Sequence, residues 1–207
     1  GEKRETLPEL VTPTVVPGAV DPDRYIVGPG DVFQLNLTGR ISRMMWVTLG
    51  PEGVLFVPGA GGAVTLDGLT LTEARKALAR RVAAEFSGVN VDLRLMRVRT
   101  MLIFRTGEVK EPGAAETPAV SRVSDVLPAA ALTDRASRRN VEVVRKRGGR
   151  EVGDLERFNR TGRDEYNPPL RDGDVVHVPV SSRFISIRGA VGHPLDLELG
   201  PADSLST

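Results

Sequence analysis

Residues 25–37 read YIVGPGDVFQLNL, and this stretch decides how the rest of the chain is parsed. Gly28-Pro29-Gly30-Asp31 consists of residues that tolerate or impose unusual backbone angles, so it predicts a tight turn. A positive φ is expected at Gly30, with the Asp31 carboxylate accepting bonds from nearby amides. Beyond the turn, Phe33, Leu35 and Leu37 alternate with Gln34 and Asn36, the period of a half-buried strand. The same device returns downstream. Residues 170–179, LRDGDVVHVP, again place Gly-Asp before an apolar strand, which Pro179 can stop because it has no amide to donate. Residues 50–59, GPEGVLFVPG, are a third version.

The composition suits many short strands and turns. The 207 residues include 22 Gly and 15 Pro, and a chain of this length holds one large or two small domains. Aromatic residues make up 4% of the chain and hydrophobic residues 40%, so its cores must be mainly aliphatic. The 28 Lys and Arg against 27 Asp and Glu give no global charge that favours nucleic acid. There is no cysteine, which excludes disulfides and thiolate metal sites. No apolar run approaches the roughly 20 residues of a membrane helix.

Around the opening motif the chain divides as follows. Residues 1–23, with Pro8, Pro13, Pro17 and Pro22, read as an extended arm. Residues 24–100 form a first domain with strands at Tyr25–Val27, Val32–Thr38, Met45–Leu49 and Val54–Val57. Thr70-Leu71-Thr72-Glu73 matches a capping box. The apolar stripe Leu71, Ala74, Leu78 and Val82 follows at helical spacing, and Ser87-Gly88 ends the helix. Val89, Val91, Leu93 and Leu95 then alternate with polar residues, and the phase flips at Met96 and Val98, which predicts a bulge or a strand leaving one sheet for another.

Residues 101–181 form a second unit. Its expected elements are a strand at Met101–Phe104, a strand and turn over Gly107–Gly113, and a short helix from about Val123 to Ala131 capped by Ser121 or Ser124. Pro128 must sit near that helix's first turn or break it. A hairpin of Val141–Arg145 and Glu151–Leu155 around Gly148-Gly149 follows, then a closing strand in Leu170–Val178. Hairpin, helix, hairpin and last strand make a β-grasp pattern. Gly107-x-Val109-x-x-Pro112 recurs as Gly189-x-Val191-x-x-Pro194, an offset of 82 (189 − 107). At that offset Ile103 falls on Ile185, Val123 on Leu205 and Ser124 on Ser206. Residues 182–207 therefore read as the truncated start of a second β-grasp domain within a longer protein. That tail is expected to dock on residues 101–181, to dock on a neighbouring chain, or to be mobile. The overall class is α+β: a small mixed α/β domain, a β-grasp domain, and the start of another.

This order of motifs resembles the outer-membrane polysaccharide export protein family of capsule and exopolysaccharide translocons. Arg24–Val98 is similar to its export domain: the Gly-Pro-Gly-Asp opening, Gly53 and Pro58 around a strand, Gly68-Leu69-Thr70 before the helix, then the alternating strand. Residues 101–181 resemble its soluble-ligand-binding β-grasp (SLBB) module through Gly107-Glu108-Val109 with Pro112-Gly113, the Val123–Leu127 helix start, Ala136-Ser137, Val141–Arg145, Asn167, and Leu170 to Pro179. The chain departs from the family at Ala130-Ala131-Leu132, where members commonly carry Ala-Gly-Gly. It also shows no lipidated N-terminal cysteine and no C-terminal amphipathic helix. The resemblance implies a non-enzymatic subunit of a periplasmic channel, attached to the outer membrane in the full-length protein, with this fragment soluble. It further implies a homo-oligomeric ring, a bacterial polysaccharide as cargo and an inner-membrane polysaccharide copolymerase as partner. The alternative is a β-grasp ligand- or partner-binding module outside export; a glycan-processing enzyme is a third possibility.

The residues themselves suggest little chemistry. His177 and His193 lack metal-ligand spacing, so no metal, cofactor or catalytic site is expected. Asp172 and Asp174, in an Arg-Asp-Gly-Asp turn, read as acceptors for backbone amides. Gly59-Ala60-Gly61-Gly62 precedes the strand-like Ala63–Leu66 and not a helix, which argues against phosphate binding. The charged constellation is Arg135, Arg138, Arg139, Arg145, Lys146, Arg147 and Arg150. It is read either as a solvated face or, through Arg145, Lys146, Arg147 and Arg150, as a contact for a polyanion or a partner. No aromatic residue sits among these to stack bases, so no nucleic-acid role is expected.

Overall fold

A computed structural model describes residues 19–57, 62–146, 148–182, 184–189, 192, 195–200 and 203. The arm over residues 1–18, the Pro58–Gly61 stretch, Arg147 and His193 fall outside them. The chain divides into two compact units, Gly1–Arg99 and Thr100–Thr207. The class is α+β.

In the first unit the strand predicted from Phe33, Leu35 and Leu37 is β1 (Val32–Gly39), the centre of a three-stranded antiparallel sheet. Its neighbours are β2 (Arg43–Thr48) and β5 (Val89–Arg97). Between them in sequence lie β3 (Val54–Val57) and β4 (Gly62–Thr65), which pair as a separate hairpin, and helix α1 (Leu71–Glu85). Phe33, Leu35 and Leu37 are all buried, as is the α1 stripe Leu71, Ala74, Leu78 and Val82. Each fully buried Leu or Val on that stripe contributes about 1.5–3 kcal/mol. The capping box forms: the Glu73 amide donates to Thr70 Oγ1 (3.2 Å) and the Thr70 amide to Glu73 Oε2 (2.8 Å). That contact holds the Glu73 carboxyl below the usual carboxylate range. The phase flip near Met96 is a bulge: Phe33 opposes Leu95, Val32 opposes Arg97, and Met96 is skipped.

Two expectations are corrected here. Tyr25–Val27 is not a strand; it makes one isolated bridge, Ile26 to Thr70. The end of the expected arm, Pro22 and Asp23, is tied to the start of α1. The Thr72 amide donates to Pro22 O (3.0 Å), and Thr72 Oγ1 to Asp23 Oδ1 (2.6 Å).

The second unit contains β6 (Thr100–Gly107), β7 (Gly113–Pro118), helix α2 (Val123–Val126), β8 (Val141–Val144), β9 (Arg150–Gly153), helix α3 (Leu155–Thr161) and β10 (Val175–Val178). Its sheet order is β7-β6-β10-β8-β9. The last strand lies parallel to the first, and every other pair is antiparallel. Two hairpins joined through a closing strand are the β-grasp arrangement. Met101, Ile103, Val141, Val143, Val176 and Val178 face one core with Val123, Val126 and Leu155.

The helix expected to reach Ala131 stops at Val126. Pro128 breaks it, and Ala129–Ala131 forms a single 3₁₀ turn, the geometry of the Ala130-Ala131-Leu132 departure. Neither serine caps α2. Ser121 accepts from Thr117 Oγ1 (2.6 Å), the Ser124 amide is taken by Asn167 Oδ1 (3.0 Å), and Arg122 occupies the cap. Beyond Gly107, the end of β6, Glu108–Pro112 is a loop that makes one isolated bridge, Val109 to Leu132, rather than a strand. Helix α3 was not foreseen, although Asp154 caps it and Gly162, at φ 66°, ends it. Leu155, read as the end of a strand, is in fact its first residue.

The tail hairpin is β11 (Phe184–Ile187) with β12 (Leu195–Glu198). Its register pairs Ile185 with Leu197 and Phe184 with Glu198, whereas β6 and β7 pair Ile103 with Ala115 and Leu102 with Glu116. Each partner is displaced by the same 82 positions. The repeat read from the sequence is thus a repeat of hydrogen-bond register. The tail also docks within its own unit: the Arg138 amide donates to Glu198 Oε2 (3.0 Å), and Arg139 Nη1 to Glu198 O (2.9 Å).

Candidate functional site: the basic hairpin and its aspartate turns

The two Gly-Asp turns close their units in the same way. At the first, Gly30 takes φ 95°. The Asp31 amide donates to Gly28 O (3.1 Å), and the Gly28 amide returns a bond to Asp31 Oδ2 (2.9 Å). Asp31 is wholly buried, so its charge requires partners. The Arg99 amide donates to Oδ1 (2.8 Å), Arg99 Nη1 to Oδ2 (3.1 Å), and the Tyr25 hydroxyl to Oδ1 (2.5 Å). A Cβ on Gly28 would lie 2.7 Å from Arg99 Cζ, so the Gly-Pro-Gly spelling makes room for the arginine. Burial, then the neighbouring Asp31 carboxylate, push the Tyr25 pKa well above the usual tyrosine value, keeping it a donor.

At the second turn Gly173 takes φ 77°. The Asp174 amide donates to Arg171 O (3.1 Å), and the Arg171 amide to Asp174 Oδ2 (2.8 Å). Asp174 is buried and pairs with Arg145. Asp172 accepts from the Leu102 amide (3.0 Å). Both aspartates thus accept from backbone amides, Asp174 within its turn and Asp172 from strand β6.

The structure divides the four basic residues chosen from the sequence. The β8–β9 hairpin closes with the Arg145 amide donating to Gly149 O and the Gly148 amide to Arg145 O, both 3.0 Å. The Arg145 side chain does not point to solvent. It is buried against Asp174, reaches Pro169 O (2.9 Å) through Nη1, and meets Glu151 at 2.7 Å through Nη2. Arg145 is therefore a member of the fold, and as such it is unavailable to a polymer. Sequence reading missed this because Asp174 lies 29 residues away and comes alongside only when β10 pairs with β8. Lys146 is exposed, with its stem lying over Gly173. Arg150 is exposed and pairs with Glu142. Arg147 is outside the described residues.

Of the remaining arginines of the constellation, Arg139 is held by carboxylates. Arg139 binds Asp154 (3.0 Å) and Asp203, and Arg157 Nη2 donates to Asp203 Oδ1 (2.7 Å). Burial opposes the Arg139 charge, but these carboxylates outweigh it and hold its pKa above the ordinary value. The Arg139 contact, followed by the Gly200 amide, holds Asp203 below the usual range. Elsewhere His177 Nδ1 lies 3.0 Å from Thr106 Oγ1. Among the described residues no group of three or more His, Asp or Glu is placed to hold a metal, and no helix is long and apolar enough to cross a membrane.

The buried Asp31 turn, the β2-β1-β5 sheet and the capped helix lie in the stretch that is similar to a known family. Residues 19–96 match the family described as "Polysaccharide biosynthesis/export protein". The chain is also 26% identical over 184 residues to two sequences of the "Polysialic acid transport protein KpsD" of Escherichia coli, an alignment covering 86% of this chain. The chain spans 32% of the length of those relatives.

Proposed function

We propose that this chain is an architectural, non-enzymatic part of a bacterial polysaccharide export channel. It works in the periplasm, and the full-length protein is attached to the outer membrane. The carrying observation is the family match over residues 19–96, with the relatives named as transport proteins in support. On this reading residues 101–181 are an SLBB β-grasp domain, and the register repeat in residues 182–207 opens a second one. The full-length protein forms a homo-oligomeric ring around the passing polysaccharide and receives it from an inner-membrane copolymerase. No bond is made or broken. Rigid small domains closed by buried Asp–Arg contacts suit a wall that must hold its shape, since such pairs fix a single geometry. The exposed Lys146 and Arg150 at the hairpin, together with Arg147 on the sequence reading alone, are the proposed polyanion contact.

Deleting the gene in its own bacterium tests the proposal. Surface polysaccharide should fall to background while polymer accumulates inside the cell, and a plasmid copy should restore it. Unchanged surface polysaccharide in the deletion strain would refute the export role.

A further inference from the structure

We propose that the outward face of the β2-β1-β5 sheet is a contact site for an acidic glycan, with Trp46 as its apolar platform. The choice of ligand rests on the export reading; the site rests on the sheet. Strand register sets Trp46, Gln34 and Arg94 in one row across the three strands, with Met44, Asn36 and Asp92 in the next. Their sequence neighbours Met45, Phe33, Leu35 and Leu93 are buried, so alternation sends these six side chains to the opposite side. Trp46 remains 38% exposed there and Met44 63%. Trp46 is the only tryptophan in the chain.

The residue types match the two chemistries of a sugar acid. A pyranose presents C–H faces and a rim of hydroxyls. An indole offers a broad apolar surface with one N–H donor. The Gln34 and Asn36 amides both donate and accept, which suits hydroxyls. Arg94 can grip a carboxylate bidentately. Asp92, the acid in these rows, is already bound by Arg94 Nε at 2.7 Å, and exposed Arg97 stands in register at the end of the face. Positive charge therefore exceeds negative, which favours an acidic glycan over a neutral one. The rows mix one large ring with amides and charges across about 10 Å of sheet.

Because Trp46 is the sole indole, its emission reports on this face directly. The chain is titrated with polysialic acid and, separately, with dextran, and affinities are measured by calorimetry for the native chain and for Trp46→Ala, Trp46→Phe and Arg94→Ser. The expected result is a saturable emission change with polysialic acid that dextran does not reproduce. Trp46→Ala should weaken binding about tenfold, a loss of about 1.4 kcal/mol. Trp46→Phe should retain most of it, and Arg94→Ser should weaken it with unchanged circular dichroism. Native affinity in both Trp46→Ala and Arg94→Ser, or no binding by the native chain, would overturn the site. So would an emission shift driven by protein concentration alone, which would make the face a contact between copies. None of these outcomes touches the export reading, which stands or falls on the deletion strain.

Discussion

The turns at Asp31 and Asp174 share a backbone but not a support. Both place glycine at positive φ, bury the aspartate, and return its carboxylate to the amide three residues earlier. Asp31 is held by a tyrosine hydroxyl, a backbone amide, and an arginine whose side chain is 20% exposed. Asp174 leans on Arg145, whose side chain is 6% exposed. The third turn, over Gly50–Gly53, has no aspartate and leads into β3 of the separate β3–β4 hairpin. The comparison shows that the buried carboxylate accompanies the turns that lead into a unit's central strand. It also shows that the counter-ion is drawn from whichever strand end the topology brings near.

The difference in support ranks the predictions. Asp174→Ala strands a nearly buried guanidinium and should cost about 3–5 kcal/mol by urea unfolding. Asp31→Ala should cost somewhat less, about 2–3 kcal/mol, because water can reach Arg99. Equal costs would show that the exposure of the arginine is irrelevant. Gly30→Val forces a β-branched residue to φ 95° and should destabilise by about 1–3 kcal/mol; an unchanged melting temperature would remove the turn from the account. Tyr25 distinguishes the first turn by pH. Its folded pKa is raised, so its contribution is complete below the unfolded value of about 10 and is lost as pH climbs beyond it. Tyr25→Phe should cost about 1 kcal/mol at neutral pH and flatten that alkaline slope in thermal melts. The smallest effect belongs to the hairpin surface. Lys146→Ser with Arg150→Ser should leave stability within about 0.5 kcal/mol and, if the proposed polyanion contact holds, weaken salt-dependent binding to an anionic polymer. Arg145→Ser should instead unfold the second unit. Equal stability losses from the two changes would return Arg145 to the surface.

Local patterns were legible in the sequence. The alternation in β1, the Thr70–Glu73 box, the Met96 bulge and the 82-residue repeat are each written within one element or one offset. The misreadings came where a distant partner decides. Ser121 looked like a cap, but Thr117 engages it. Arg145 looked like a hairpin-tip charge, but Asp174 claims it. Helix α3 did carry local signals in Asp154 and Gly162, and they were masked by extending the preceding strand through Leu155. Trp46 escaped notice because the face it occupies is defined by its pairing with Gln34 and, across β1, with Arg94.

The equivalence of the two aspartate turns is tested most directly by amide hydrogen exchange in the native chain. The Gly28 and Arg99 amides, bound by Asp31, and the Arg171 amide, bound by Asp174, should exchange about a thousandfold or more slowly than in an unstructured peptide. In Asp31→Ala the first two should lose protection while Arg171 keeps it, and in Asp174→Ala the reverse. Exchange of all three at peptide-like rates, with β1 and β10 still protected, would contradict the claim that buried carboxylates close both units.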